Sequence, residues 1–396
     1  MDIIYTDNNA TTAVAPEAYE AMVPYLTTDY FNPSSMYDAA VPAAEALAQA
    51  RRQVAELLAV EDSRQIVFTS CATESNNTAI RGTATADPKR KHIITSAVEH
   101  PAVLEVCKEM ENLGYEVTYI SVNEKGELNV PEFIRALRQD TLLVTIMHAN
   151  NETGVIFPVN ELARITKETD SSILFHTDAT QSVGKIPMDL ENDFAHVDML
   201  SISGHKLHAP KGVGALFMRR NTRCRSFMLG GHQENSFRAG TENVPHIVAF
   251  GKACEVAGEK LEEENRLQSL RDKLEESITE KVPYIDINGA GAPRLPNTSS
   301  FSCHYVEGEG ILYQLSEQGI CVSSGSACTS GSLEPSHVLK ALGVPFTALH
   351  GSVRFSLSRY NTEAEIDRII EFFPEVIANL RRLSPYWDNK ANAPAQ

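Results

Sequence analysis

Two kinds of apolar pattern alternate along the chain up to about residue 258. Apolar positions recur at helical spacing over residues 17–26 and 41–58. Short strand-like runs with apolar residues on both faces occur at 65–69, 92–95, 117–120, 142–147 and 173–175. Strands of that kind are typical of a parallel sheet that helices cover on both sides. The pattern predicts an α/β fold with a mainly parallel sheet.

The pattern changes after residue 258. Residues 259–281 predict a long charged helix, and the elements that follow are shorter and of mixed type. They are strand-like runs at 284–287, 298–302 and 352–356, and helical runs at 310–317 and 363–383. We predict a large domain over residues 15–258 and a smaller α+β domain made of residues 1–14 and 259–396. Residues 387–396 are expected to form a loose polar tail.

Composition narrows the class of protein. A net charge of -17 over 396 residues leaves no basic stripe for nucleic acid. No apolar run reaches the length of a membrane span, and the first residues lack the pattern of a signal peptide. The seven cysteines are odd in number and show no CxxC pair, which favours reduced thiols. We therefore expect a soluble, cytoplasmic protein.

Three features together indicate a cofactor. Lys206 lies where an apolar run ends and a polar turn begins. At such a position an amine can be buried in a cleft and act as a nucleophile. Asp178 ends another buried run, and Thr73 lies where a strand passes into a helix, a site that favours phosphate. Alone, each has a simpler interpretation: a surface turn, a turn cap and a helix N-cap. Together they supply the amine, the partner for a protonated ring nitrogen and the phosphate site that pyridoxal phosphate needs.

Three further residues are candidates for chemistry. His100 lies at a strand-to-helix junction and could stack on a ring, although a lone histidine is more often structural. Cys328 lies within an uncharged loop at about 323–332, which is either a flexible linker or the carrier of a reactive thiol. Arg354 could bind a carboxylate or form a structural ion pair. His205 and His208 lack the other ligands of a metal site, so no resident metal is expected.

Seven segments in a fixed order connect these candidates to a known family. They are Asp7-Asn-Asn-Ala-Thr-Thr12, Thr69-Ser-Cys-Ala-Thr-Glu-Ser75, Glu99-His-Pro-Ala-Val103, Ala149-Asn-Asn-Glu-Thr-Gly154, His176-Thr-Asp-Ala-Thr-Gln181, Ser203-Gly-His-Lys206 and Ser323-Ser-Gly-Ser-Ala-Cys328. In this order they resemble the signatures of the cysteine desulfurases, which are class V pyridoxal-phosphate enzymes of fold type I. The loop after Cys328 and the ending Leu383-Ser-Pro-Tyr-Trp387 are most similar to the NifS type.

The resemblance implies a role for each site residue. The fold would be a fold type I transferase with a mainly parallel seven-stranded sheet. Lys206 would form the Schiff base with the cofactor, Asp178 would pair with the pyridine nitrogen, and His100 would stack on the ring. The other implied cofactor-binding residues are Ala72, Thr73, Asn151, Gln181 at the phenolic oxygen, Ser203, Gly204, His205 and, from the other subunit of a homodimer, Thr241. Asn151 and Arg354 would bind the substrate carboxylate.

The resemblance also implies a reaction and partners. L-cysteine would give alanine and a persulfide on Cys328, which is also a possible transient iron-sulfur ligand. The sulfur would pass to an iron-sulfur scaffold of the NifU or IscU type, in the maturation of nitrogenase clusters. A housekeeping desulfurase, a selenocysteine lyase, a β-lyase or aminotransferase on the same fold, and a non-catalytic scaffold are the alternatives. Tyr37, Ala40 and Asn235-Ser236 depart from the family pattern, and the last pair affects the expected cross-subunit contact.

Overall fold

The computed structural model describes residues 3–324 and 335–395. Its helices are α1 (Pro16–Met22), α2 (Pro24–Thr27), α3 (Val41–Leu57), α4 (Ala72–Ala86), α5 (Pro101–Asn112), α6 (Val130–Ala136), α7 (Val159–Thr169), α8 (Gln233–Ser236), α9 (Val244–Glu259), α10 (Glu264–Lys281), α11 (Gly308–Glu317), α12 (His337–Ala341), α13 (Phe346–Leu349) and α14 (Glu363–Leu383). Its strands are β1 (Ile4–Tyr5), β2 (Ile66–Thr69), β3 (His92–Ser96), β4 (Glu116–Ile120), β5 (Thr141–Thr145), β6 (Leu174–Asp178), β7 (Met199–Ser203), β8 (Gly214–Met218), β9 (Ile285–Ile287), β10 (Thr298–Cys303), β11 (Ile320–Cys321), β12 (Ser352–Ser356), β13 (Trp387–Asp388) and β14 (Ala393–Pro394).

A seven-stranded sheet forms the centre of the molecule, in the order β2-β8-β7-β6-β5-β3-β4. Strands β7, β6, β5, β3 and β4 pair in parallel, and β8 alone runs antiparallel to its two neighbours. The predicted α/β fold with a mainly parallel seven-stranded sheet is therefore confirmed. Because all strands except β8 run in one direction, the polar residues that follow them meet at one edge of the sheet.

Helices cover both faces of this sheet. Side chains alternate along each strand, so Phe68 packs in the core shared with α3, α7 and α9, whereas Val67 packs in the core shared with α4 and α5. Strands β2, β3, β5 and β7 are buried along their whole length. Burial on both sides is the physical reason that these strands are apolar at successive positions.

A second core is built on shorter elements. Strands β12, β10 and β9 form an antiparallel sheet, and α10, α11 and α14 pack with it in one apolar cluster. Helix α14 begins with a capping box between Thr362 and Glu365. Strand β1 pairs in parallel with β11 of this second part. That pairing supports the grouping of residues 1–14 with 259–396, and the domain boundaries themselves stay a prediction.

The expectation of a loose C-terminal tail was wrong. Strand β13 pairs antiparallel with β14, and Trp387 is buried. The indole contacts the ring of Tyr284 at 5.6 Å between centroids, and the guanidinium of Arg381 lies 4.7 Å from the indole centroid. A single large apolar residue was thus enough to attach a polar segment to the small core. Across residues 3–324 and 335–395, no helix has the length and apolar content to cross a membrane.

Candidate active site

A cavity of about 280 Å³ lies at the edge of the seven-stranded sheet where its parallel strands end. Ten of the predicted site residues line it: Ala72, Thr73, His100, Asn151, Asp178, Gln181, Ser203, His205, Lys206 and Arg354. Sequence reasoning did not single out Asn9, Ala10, Cys71, Ala102, Met147, Ala149 and Thr180, which also line it. Gly204 belongs to the turn that carries Lys206. Thr241 is exposed and is not among the lining residues of this chain, and Cys328 lies outside the described residues.

Lys206 lies in a single helical turn, Gly204–Lys206, directly after β7. Its Nζ donates to the backbone oxygens of Asn9 at 2.5 Å and Ala10 at 2.7 Å. Both acceptors belong to the N-terminal segment, which is distant in sequence. Two carbonyls of the N-terminal segment therefore hold the amine at the cavity, and the interpretation of this stretch as an ordinary surface turn does not hold.

Asp178 ends β6 and both of its carboxylate oxygens have donors. Asn76 Nδ2 donates to Oδ2 at 2.7 Å, and the Thr180 backbone N donates to Oδ1 at 3.0 Å. Donors to a carboxylate favour its charged form. An anionic group fixed in this way suits a partner that must stay protonated, such as a pyridine nitrogen. Asn76 was missed by sequence reasoning; the available signal was a polar residue on the buried face of α4.

The start of α4 forms an anion site at the other side of the cavity. Helix α4 begins at Ala72, and its N-cap is Cys71, whose side chain makes no capping bond to any described residue. Thr73 is thus not the cap, and the first N–H groups of α4 remain available for a ligand. Gly214 of β8 passes close behind this turn, because a Cβ there would lie 2.9 Å from the Cys71 carbonyl carbon. The amine, the fixed carboxylate and this helix start fit pyridoxal phosphate.

His100 is both structural and part of the cavity wall. As the N-cap of α5, its Nδ1 accepts a hydrogen bond from the Ala102 backbone N at 3.1 Å. Burial lowers the pKa of His100, so its imidazole is neutral near pH 7 and carries its proton on Nε2. His205 also lines the cavity, and burial lowers its pKa to about 4.

Arg354 on β12 reaches the cavity from the second core. Its Nη1 donates to the Asn151 backbone oxygen at 2.9 Å and its Nη2 donates to Asp7 Oδ1 at 2.7 Å. The Nε atom is buried, and no residue in 3–324 or 335–395 accepts its hydrogen. Arg354 therefore does form the structural ion pair, and its Nε–H has no acceptor among the described residues, so its binding of a carboxylate stays a prediction.

The residues on the two sides of the segment 325–334 form hydrogen bonds close to the cavity. Ser323 exchanges backbone hydrogen bonds with Arg354, at 2.7 and 3.2 Å. On the other side, Ser336 Oγ donates to Glu152 Oε2 at 2.6 Å, and His337 Nε2 bonds to the backbone oxygen of Glu99 at 2.9 Å. The residues on the two sides of the segment 325–334 are therefore fixed next to Arg354 and next to Glu99 and Glu152.

The side chains that could ligate a metal are dispersed. In the part of the chain that the structure covers, no group of three or more His, Cys, Asp or Glu side chains is arranged to hold a metal ion. The six cysteines described are free thiols, and burial raises the pKa of Cys107 and Cys224 to about 12. These two thiols are thus poor nucleophiles.

Comparison with known proteins gives a consistent result. The family model for class V aminotransferases matches residues 4–369. A cysteine desulfurase of Trichormus azollae is 54% identical over 392 residues, which is 99% of this chain and 97% of the relative. The cysteine desulfurase NifS of Azotobacter vinelandii is 50% identical over 397 residues, which is 100% of this chain and 97% of the relative.

Solved structures agree with the sequence relatives. A NifS-like protein superposes with a TM-score of 0.89 at 38% identity, over 96% of this chain and 100% of the other. A NifS-like protein from Rickettsia africae superposes with a TM-score of 0.85 at 32% identity, over 95% of this chain and 100% of the other. Both likenesses include the seven-stranded sheet and the second core, because they extend over nearly the whole chain.

Proposed function

This chain belongs to the class V aminotransferase family and, within it, to the cysteine desulfurases, and on that premise we propose how its residues remove sulfur from L-cysteine. The observation that supports the proposal is the meeting of Lys206, Asp178 and the start of α4 in one cavity. When bound there, pyridoxal phosphate supplies an electron sink that stabilises negative charge on the substrate Cα. Asp178 would keep the ring nitrogen protonated, and the N–H groups at the start of α4 would bind the phosphate.

Lys206 acts on the proton of the substrate Cα. Its amine lies at the cavity wall, where the carbonyls of Asn9 and Ala10 hold it. From that place it takes the Cα proton and later returns a proton to the product. His100 is neutral and presents its Nε2 hydrogen, so it can stack on the ring and donate a hydrogen bond from Nε2.

Arg354 and Asn151 bind the carboxylate of L-cysteine. The guanidinium is preorganised by Asp7 and by the backbone of Asn151, and it keeps unused donors. A planar guanidinium can bind a carboxylate with two parallel hydrogen bonds, which orients the substrate as well as attracting it. The β-sulfur of the substrate is then directed away from this anchor.

Cys328 receives the sulfur. Its thiolate attacks the substrate sulfur, so that an S–S bond forms while the Cβ–S bond breaks. The electron pair of the broken bond stays with the carbon, which takes up a proton and leaves as alanine. The other product is a persulfide on Cys328, and no external oxidant or reductant is needed.

Intact mass after brief exposure to L-cysteine tests this step. We expect the cofactor-loaded protein to gain about 32 Da, one sulfur atom, and Cys328→Ala to gain nothing. Cys321→Ala is the matched control and should still gain the sulfur, because Cys321 lies in β11 and does not line the cavity. Release of sulfide with pyruvate and ammonia from L-cysteine by Cys328→Ala would instead support a β-lyase, and release of elemental selenium with alanine from L-selenocysteine would support a selenocysteine lyase on this fold.

The sulfur acceptor is proposed to be an iron-sulfur scaffold of the NifU type that serves nitrogenase cluster maturation. The support is the similarity to the NifS protein of Azotobacter vinelandii. Transfer of labelled sulfur from the persulfide to NifU-type and IscU-type scaffolds can be compared directly. A preference for the IscU type would identify a housekeeping desulfurase instead. Incubation with either scaffold and iron also tests whether Cys328 transiently ligates a cluster.

A homodimer in the cytoplasm is proposed as the working form. Thr241 is exposed and does not line the cavity of its own chain, as expected for a residue that completes the phosphate site of a second subunit. Sedimentation of the wild type and of Thr241→Ala, with cofactor affinity measured for each, tests this arrangement. A monomer that binds the cofactor at full affinity would contradict it, and cell fractionation tests the compartment.

A further inference from the structure

Lys185 is a buried lysine behind the candidate active site. The proposed reaction assigns it no role. Its Nζ donates to two atoms of one residue, the backbone oxygen of Gln181 at 2.9 Å and the side-chain Oε1 of Gln181 at 3.2 Å. Lys185 also lines a small cavity of about 20 Å³ together with Glu264 and Lys206. Burial lowers the pKa of Lys185, and the carboxylate of Glu264 opposes that shift.

The contacts of Gln181 permit one orientation of its amide. Gln181 Nε2 donates to the backbone oxygen of Asn9 at 3.1 Å, and because a carbonyl oxygen only accepts, the NH₂ end of the amide must face Asn9. The carbonyl end then faces Lys185, whose Nζ donates to it. The Nε2 group has two hydrogens, and one remains for the cavity that Gln181 lines.

We propose that Lys185 is a positioning residue that fixes the Gln181 amide with its NH₂ group toward the cofactor cavity. The cavity thereby gains a hydrogen-bond donor for an anionic oxygen. The inference rests on the proposed function, because the donor matters when the bound cofactor presents its phenolic oxygen there. A donor favours the charged form of such an oxygen, so Lys185 lowers the pH at which the bound chromophore loses its proton.

The test is a pH titration of the visible absorption band of the cofactor-loaded protein, which does not depend on turnover. We expect Lys185→Met to raise the titration midpoint by about 0.5 to 1.5 pH units, the effect of one hydrogen bond. Lys185→Arg keeps a donor-only cation and should restore part of the shift. In a Gln181→Ala background, Lys185→Met should add no further shift, since the amide through which it acts is gone.

Two results would overturn the inference. One is an unchanged midpoint in Lys185→Met; the other is a shift that persists at full size in the Gln181→Ala background, which would mean that the lysine charge acts directly. Lys167→Met is the matched control, because Lys167 donates to Ile173 O and Asp198 Oδ2 at the opposite end of the sheet. If Lys185→Met does not fold, Lys185→Gln provides the same comparison. Absence of any visible band in the loaded wild type would refute the proposed function itself.

Discussion

Asn76 shows how a residue outside the reacting groups determines what a catalytic carboxylate can do. It lies on the buried face of α4 and donates to Asp178 Oδ2 at 2.7 Å. Its own Oδ1 is buried and unpaired among the described residues, so the side chain is held mainly by this one bond. The carboxylate orientation at the end of β6 thus depends on a helix that begins at the phosphate site.

Asn76→Ala is expected to weaken cofactor binding by about 5- to 150-fold, because a buried charged acceptor that loses its donor costs about 1–3 kcal/mol. The measurement is the affinity of the apoprotein for pyridoxal phosphate, followed by absorbance. Asn112→Ala is the matched control, since Asn112 also donates to a carboxylate, that of Glu109, but at an exposed position on α5. Equal affinities for Asn76→Ala and wild type would show that Thr180 alone fixes Asp178.

Glu99 connects several secondary-structure elements through its hydrogen bonds. It follows β3, and its Oε1 accepts from Ser96 Oγ at 2.7 Å and from the backbone N of Met147, after β5, at 2.9 Å. Its backbone oxygen bonds to His337, at the start of α12. The side chain is fully buried, and burial raises its pKa to about 8. One residue therefore connects two strand ends and a helix, and it holds a proton at neutral pH.

Glu99→Gln is expected to change the pH dependence of stability. The pKa is higher in the folded state, so wild-type Glu99 contributes stability that is present below about pH 4.5 and lost as the pH rises toward 8. Glutamine does not titrate, so the variant does not lose this stability. Its free energy of unfolding should therefore rise by about 2 to 4 kcal/mol relative to that of the wild type between pH 5 and pH 8.5.

Urea unfolding of both proteins at the two pH values measures this difference. Glu105→Gln, an exposed carboxylate on α5, should follow the wild type at both pH values. A constant difference between Glu99→Gln and wild type across this range would mean that Glu99 is charged when the protein is folded.

At the scale of the whole molecule, the N-terminal segment joins the seven-stranded sheet to the second core. Asn9 Nδ2 donates to Asn151 O at 3.1 Å and to Thr298 Oγ1 at 2.9 Å, and Asn9 Oδ1 accepts from Asn297 Nδ2 at 3.2 Å. Its backbone oxygen accepts from Lys206 and Gln181. A single buried asparagine thus connects Lys206 to β10.

Asn9→Ala is expected to destabilise the apoprotein by about 2 to 4 kcal/mol, because several buried polar partners lose a hydrogen bond. It should also separate the unfolding of the two cores. Trp387 is the one tryptophan of the sequence and packs on the small core, so its fluorescence reports that core, while circular dichroism reports the whole chain.

Coincident transitions in the wild type and separate ones in Asn9→Ala would support this view of the segment. Asn192→Ala serves as the control, since Asn192 is exposed and bonds only locally to Asp189 in the described chain. Transitions that stay coincident at wild-type stability in Asn9→Ala would contradict it.

Much of the architecture could be predicted because it depends on local pattern. The apolar runs that became β2, β3, β4, β5 and β6 are short and bounded by polar turns, so their type and order follow from the sequence. The tail could not be predicted in this way. A hairpin of two residues per strand has no periodic signal, and the burial of Trp387 depends on Tyr284, which is about a hundred residues away.

The sequence by itself determined which residues reach the site, since Lys206, Asp178, His100 and Thr73 each follow a strand of a parallel sheet, and such strands end at one edge. The tertiary structure alone decided how these groups are held. The partners Asn9 and Asn76 belong to other segments: Asn9 is 197 residues from Lys206, and Asn76 is 102 residues from Asp178. Pattern reflects the local environment of a residue, whereas a hydrogen-bond partner is fixed by folding, when distant segments come together.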